Sequence, residues 1–375
     1  MKYIVFFLIL FFHTIGMAKN MPFYISENTG FNYLYKVDIN GVDYNFLLDT
    51  GADITAIDND VISKISYPVE RKDISNHVKG MDLITSHGIK SELELYYSPI
   101  MKLGGEIISS DVVVSFELGF LKNAMGINID GVIGMNIINN FVWEFDNLNR
   151  RMLVYRLEGN LSKYTNCISY DNEGGRIFIP VFINKLPIYF KLDTGNNGSL
   201  SVSLEVSDLI KFDKLGLENK STDIFNNAKN SPIIIINDIS FDNKRINRVE
   251  SDLNKNSYRN LIGLGFLKRF DRFAIIPNEK LFCYDNFSTE DDPITLRKIR
   301  VGNFKDNEIS LVYNDEVYLN SILLKNGDVI KELNSKQYEA KDIEQVREIL
   351  SYAKKVKLVI RRGEQTLYRT IEWVL

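Results

Sequence analysis

VDINGVDYNFLLDTG, residues Val37–Gly51, returns as VFINKLPIYFKLDTG, residues Val181–Gly195, with eight of fifteen positions identical. Each copy carries an apolar run that ends on an aspartate and then turns at Thr-Gly. A second block also repeats. DGVIGMNIINNFVWEFDNLNRRMLVY (Asp130–Tyr155) aligns without gaps on RNLIGLGFLKRFDRFAIIPNEKLFCY (Arg259–Tyr284), with Ile133/Ile262, Gly134/Gly263, Phe141/Phe270, Asn149/Asn278 and Tyr155/Tyr284 coinciding. The offset is 144 residues for the first block and 129 for the second, so the second copy is 15 residues shorter between its landmarks.

The duplication divides the chain. Residues 19–158 and 159–286 read as two related, mainly β lobes, with short strands bounded by Asn-Gly, Gly-Gly or Asp. Strands are expected at 37–39, 46–48, 112–114, 177–179, 189–192 and 233–236, and short helices at 136–140 and 266–269. Acidic, polar Ser288–Pro293 reads as a linker to a third unit, 287–375. There a turn at 324–330 feeds a strand. Ile343, Val346, Ile349, Leu350 and Ala353 then recur at helical spacing, and strands at 356–361 and 366–374 follow, forming a small α+β unit.

At 375 residues, with 45 Lys and Arg against 49 Asp and Glu, the chain carries a formal charge of −4. No basic patch points to nucleic acid, and Arg150-Arg151 and Arg361-Arg362 read as solvated strand ends. The N-terminus reads as a secretory signal over residues 1–18: Lys2, the apolar stretch Tyr3–Phe12, then Gly16-Met17-Ala18 at a cleavage site. That stretch is short for a membrane span, which needs about 20 residues. The expectation is an exported protein in the periplasm or outside the cell, with an uncleaved anchor as the other reading. Cys167 and Cys283 flank the second copy; they are either a disulfide between its first and last strands or two buried thiols.

Water can attack a peptide bond directly if one group takes its proton while another protonates the carbonyl oxygen. Two carboxyl groups about 3 Å apart meet both needs: they share one proton, because like charges that close resist double ionisation. Asp49 and Asp193 are the candidate pair. Gly51 and Gly195 permit a sharp turn and close backbone approach, and Thr50 and Thr194 offer hydroxyls that lock one turn to the other. A single Asp-Thr-Gly is weak evidence, since its plain reading is an Asx turn. Two copies in duplicated surroundings are a strong signal. Other chemistries find little material: the three histidines (His13, His77, His87) form no metal or triad pattern, no phosphate-binding loop appears, and the Lys that phosphoryl-transfer ATPases place between Asp and Thr is absent.

These motifs, FLLDTGAD with GVIGMNII and FKLDTGNN with NLIGLGFL, resemble the pepsin and retropepsin superfamily of aspartic peptidases. The resemblance implies two retropepsin-like closed β-barrel lobes forming one pepsin-like bilobal unit. It implies endopeptidase activity from the Asp49–Asp193 dyad, with Thr50 and Thr194 gripping across the lobes. Asp53 matches a position that binds substrate backbone in retropepsins. No metal or organic cofactor is implied, and the expected partner of a monomeric enzyme is a peptide or protein substrate. The C-terminal unit, through LKNGDVIKELNS, a helix and VKLVIRRG, is similar to a PDZ domain and implies a further protein partner. It lacks the Gly-Leu-Gly-Phe loop, having Val301-Gly302-Asn303-Phe304.

Several residues depart from the family pattern. Met135 and Leu264 stand where retropepsins place Arg, leaving Asp53 without that partner. Ala52 and Asn196 replace hydroxyls that stabilise the ionised dyad, which implies an optimum less acidic than that of gastric-type enzymes. Lys191 shares a strand face with Asp193 at a position that is normally apolar. It either unbalances the dyad, selects an acidic substrate side chain, or packs its stem and snorkels to water. The flap is expected at Gly80–Lys90. The other function class is a catalytically silent, peptidase-like binder with PDZ-mediated interactions.

Overall fold

The computed structural model describes residues 21–22, 33–70, 82–84, 90–92, 94–119, 121–122, 128–156, 164–222, 228–254, 259–293, 299–305, 308–312, 314 and 316–372. The segment read as a signal, His77 and His87 lie outside them. So does most of the flap candidate, of which 82–84 and Lys90 belong to a short antiparallel pair.

Mainly β structure is what the sequence pattern builds. Leu34–Ile39 and Val42–Leu48 form a hairpin whose inward positions, such as Val37, Ile39, Phe46 and Leu48, are fully buried. Arg176–Ile183 and Leu186–Leu192 form its counterpart, burying Ile179, Val181, Phe190 and Leu192. The alternation of buried and exposed residues fixes register, since a slip of one residue would turn every apolar side chain outward. Each hairpin belongs to an eight-stranded sheet of its own repeat. In the second, Phe182 and Ile183 also pair with Ser240 and Ile239, as their counterparts Asp38 and Ile39 pair with Lys102 and Met101 in the first. In the second repeat one strand, 228–241, pairs with both 176–183 and 244–254, whereas in the first the strands 94–97 and 101–103 that make the corresponding pairings are separate.

A six-stranded sheet joins the repeats, in the order 21–22, 151–156, 141–146, 270–276, 281–287 and 166–169. At its centre Glu144 opposes Ala274 and Phe145 opposes Phe273. Advancing the first-repeat numbers by 129 turns one pair into the other, so these two strands straddle the axis that relates the copies. Phe145 and Phe273 stack with ring centroids 4.5 Å apart, and Phe270, Phe282 and Tyr284 continue the aromatic layer. One apolar cluster runs through both repeats. Cys167 and Cys283, directly opposed on adjacent strands, are joined as a disulfide.

The helices sit one or two residues earlier than the sequence suggests: Met135–Ile138 and Leu264–Leu267 start at once after Gly134 and Gly263, which act as N-caps. A Cβ on Gly134 would lie 2.6 Å from the Ile54 carbonyl carbon, so close backbone approach demands glycine there.

The C-terminal unit has a second apolar cluster, built on a sheet of strands 301–305, 308–311, 329–333, 355–362 and 365–372, with 336–337 paired to 329–333, and with the helices Glu316–Ser321 and Ile343–Tyr352. The acidic stretch before it is strapped to the second repeat. Buried Arg269 donates to the carbonyls of Ser288 and Glu290 and pairs with Asp292, while Asp292 also accepts from the Glu250 N–H at 3.0 Å. The Asp291 carboxylate accepts from the N–H groups of Asn247 and Arg248. Those six residues read as a linker because their composition is polar; their partners lie up to 44 residues away.

The two hairpin turns differ in a way that predicts stability. Asn40-Gly41 adopts φ 54° and 82°, and Asn184-Lys185 adopts 48° and 69°. Lysine pays about 1–2 kcal/mol for the left-handed region, whereas glycine does not. After the greater freedom of glycine in the unfolded chain is deducted, Lys185→Gly should stabilise the protein by about 0.5–1 kcal/mol. This would appear as a higher urea midpoint at unchanged slope; a lower midpoint would refute it.

Candidate active site

The duplicated sequence becomes a duplicated set of hydrogen bonds. Asp49 N–H donates to the Ile133 carbonyl at 2.9 Å, and Asp193 N–H donates to the Ile262 carbonyl at 3.0 Å. Met135 N–H reaches the Ala52 carbonyl at 2.9 Å, and Leu264 N–H reaches that of Asn196 at 2.8 Å. In each repeat the second block lies parallel to the strand entering the Asp-Thr-Gly turn, Ile133 beside Leu48 and Ile262 beside Leu192. The two sequence blocks recur together because each holds the other's backbone.

The turns then lock to each other. Thr50 N–H donates to Thr194 Oγ1 and Thr194 N–H to Thr50 Oγ1, both at 3.0 Å. The Thr50 hydroxyl donates to the Leu192 carbonyl at 2.9 Å, and the Thr194 hydroxyl to that of Leu48 at 2.8 Å. Each hydroxyl thus accepts once and donates once, and both threonines are essentially solvent-free. No polar atom of this cross is left unsatisfied, which is the condition for burying it without penalty.

This lock brings the carboxylates together. Gly51 N–H donates to Asp49 Oδ1 at 2.7 Å, and Gly195 N–H donates to Asp193 Oδ1 at 3.0 Å. The two carboxyl groups face each other closely enough for each to influence the other's protonation. A Cβ added to Gly51 would stand 2.5 Å from Asp193 Oδ1 and 2.8 Å from Asp49 Oδ1, and one on Gly195 would stand 2.7 Å from Asp49 Oδ1. Glycine is needed here for room: any side chain would occupy the space the paired carboxylates share. Both acids keep part of their surface open to solvent, but the surrounding protein strips most of their hydration. Burial raises Asp49 above the usual carboxylate range. It pushes Asp193 up to about 7, with the Asp49 charge adding to the rise.

Asp53 and Lys191 are both engaged within the protein. Burial alone would raise the Asp53 carboxyl, but Arg176 reverses this and holds it below its ordinary value, helped by Lys191 and Arg259. The Arg176 guanidinium grips Asp53 at both oxygens, with Nε 2.6 Å from Oδ1. Asp53 therefore has an arginine partner, contrary to the expectation from Met135 and Leu264; it comes from the other repeat, 123 residues away. No local motif marks Arg176, which opens a strand after Gly174-Gly175. Lys191 is 5% exposed and its Nζ lies 2.6 Å from the Gly51 carbonyl oxygen, so its head points into the site and does not snorkel to water.

Residues 35–137 match the family model described as aspartyl protease. The matched segment holds Asp49, Thr50, Gly51, Asp53 and Gly134, and the second copy lies outside it. Among solved structures, a retropepsin-like aspartic protease from Rickettsia conorii is 22% identical, covering 32% of this chain and 88% of that one with a TM-score of 0.25. No curated protein matches the chain. Among the described residues, no group of three or more His, Cys, Asp or Glu is placed to hold a metal ion, and no helix is long and apolar enough to cross a membrane.

The electrostatics make a prediction independent of activity. Folded, Asp193 keeps its proton up to about 7, whereas an unfolded chain releases it near 4. The native state therefore binds more protons across that interval, and stability falls as pH rises through it, by at most ~1.4 kcal/mol per pH unit. Urea unfolding of wild type from pH 4.5 to 7.5 should show this decline, and Asp193→Asn should flatten it; parallel curves would contradict the assignment.

Proposed function

We propose that the protein is an aspartic endopeptidase, hydrolysing peptide bonds through a water activated by Asp49 and Asp193. The observation that carries this reading is the meeting of the two carboxyl groups across the crossed threonine bonds. The match of residues 35–137 to the aspartyl protease family supports it.

The chemistry follows from one shared proton. Like charges this close cannot both ionise easily, an effect for which aspartic proteases are the standard example. The ionised carboxylate takes a proton from water as oxygen attacks the peptide carbonyl, and the protonated partner delivers its proton to the carbonyl oxygen. The resulting diol collapses as the C–N bond breaks: the acid formed in the first step protonates the departing nitrogen, and the other carboxylate takes up the proton of a diol hydroxyl, which becomes the new carbonyl. The dyad ends as it began, carrying one proton. Protons and charge balance within the pair, so no metal or organic cofactor enters. Thr50 and Thr194 hold the spacing, and Gly51 and Gly195 supply the N–H groups that orient the carboxylates.

On the same reading, the enzyme is exported and acts as a monomer. The Cys167–Cys283 disulfide suits an oxidising compartment, and the sequence of residues 1–18 suits export. The C-terminal unit serves as a PDZ-like interaction module. Its own apolar cluster and its six-stranded sheet with two α-helices support that role.

Digestion of a peptide library should yield cleavage by wild type that a statine-type inhibitor blocks. Asp49→Asn and Asp193→Asn should each lower kcat/KM by at least about a thousand-fold, or ~4 kcal/mol of transition-state stabilisation. Activity should fall as pH rises past about 7, where Asp193 loses the shared proton. An optimum near pH 2, or no cleavage anywhere from pH 3 to 8, would overturn the proposal and leave the silent-binder reading.

A further inference from the structure

Burial sets a problem that the dyad cannot solve alone. A dehydrated carboxyl pair relieves its desolvation most readily by taking up a second proton, and a pair with two protons has no base to activate water. The structure contains a counterweight on one side only. Lys191 lies two residues before Asp193 on the same strand, beside Leu261 of the second block. Its counterpart 144 residues earlier is Leu47, which packs against an apolar cluster containing Leu34 and Val132. The site thus has one ammonium for two carboxyl groups.

We propose that Lys191 is a positioning residue for the dyad: its ammonium, pinned on the Gly51 carbonyl, keeps one carboxyl group ionised in a site whose burial favours the doubly protonated state. The inference rests on the aspartic peptidase reading. Nζ sits 2.6 Å from the carbonyl oxygen of Gly51, the residue whose N–H binds Asp49 and whose Cα faces Asp193. Asp193 faces the ammonium from the same strand, Asp49 and Asp53 from the opposite turn, and Arg176 from the adjoining strand. Arg259 adds to the positive field at Asp53. Because Asp53 is already paired with Arg176, the charge of Lys191 is balanced chiefly by the dyad. The ammonium lowers both dyad carboxyls against the rise that burial imposes, while its own pKa is drawn down by burial and held up by the three acids. With one proton on the pair, ammonium and carboxylate cancel.

The test is a pH profile of kcat and kcat/KM for wild type, Lys191→Met, Lys191→Gln and Lys191→Arg on one cleaved peptide and on its Glu/Gln variants at each position. Removing the charge should move the acidic limb to higher pH by about one unit or more, with the alkaline limb following. Gln, which still donates a hydrogen bond, should shift like Met, and Arg should restore the wild-type limbs. Unmoved limbs with loss of Glu-over-Gln preference would overturn the proposal in favour of an acidic-side-chain pocket. Unmoved limbs with lowered kcat in Met alone would overturn it in favour of a mere tether. If wild type cleaves nothing, the urea-unfolding pH curve of Lys191→Met still decides. Its decline should sit at higher pH than in wild type, and an unshifted curve refutes the electrostatic role whatever the protein's activity.

Discussion

The crossed pair Thr50–Thr194 is the constraint on which the site depends. Its four hydrogen bonds tie each turn to the strand leading into the other, so neither carboxylate can be placed without both repeats. The geometry is self-complementary, as a twofold requires: each bond has a mate obtained by exchanging the repeats. The central strand pair of the joining sheet, with Phe145 stacked on Phe273, sets the same axis from behind. Two distant parts of the molecule therefore agree on where the aspartates meet. That agreement lets a buried polar cross persist among apolar strands, since every donor in it has an acceptor in place.

Symmetry fixes the frame and departures from it set the chemistry. Two identical carboxyls sharing a proton have no preferred acid and base, but the surroundings of Asp49 and Asp193 differ. Lys191 approaches from the second repeat, where the first has Leu47. Arg176 crosses from the second repeat to Asp53 of the first, where position 197, the counterpart of Asp53, is Asn. The cations thus come from one repeat and the paired acid from the other, which gives the contact between repeats a polarity along with its shape. An ion pair reaching across it specifies register as well as adding attraction.

How much of this the sequence discloses depends on the range of the interactions. The duplicated strands, the turns and the glycine blocks are legible because their determinants lie close together: β-branched alternation, an aspartate accepting from the N–H two residues on, and a glycine that backbone contact demands. What local pattern cannot show is a side chain's choice among distant partners. Arg176 finds Asp53, and Arg269 fastens the acidic stretch after it, without any motif to mark either. The direction of the Lys191 head was equally open. A lysine on that face can snorkel or turn inward, and only the Gly51 carbonyl, held in place from the other repeat, decides it.

The inward lysine also bears on why the site tolerates such dry surroundings. A paired acid works as a base and acid together only if its proton count stays at one across the working range. Solvent maintains that count for an exposed pair by stabilising the anion; dehydration removes the help and favours an extra proton. A fixed ammonium replaces the lost solvation without readmitting water, and a buried position strengthens its effect because screening is weak there. The cost falls on the lysine, whose own dehydration is offset by the carbonyl it touches and the acids it faces. Apolar walls and a neighbouring cation are thus two halves of one arrangement: the walls exclude bulk water, and the cation keeps the base charged once it has gone.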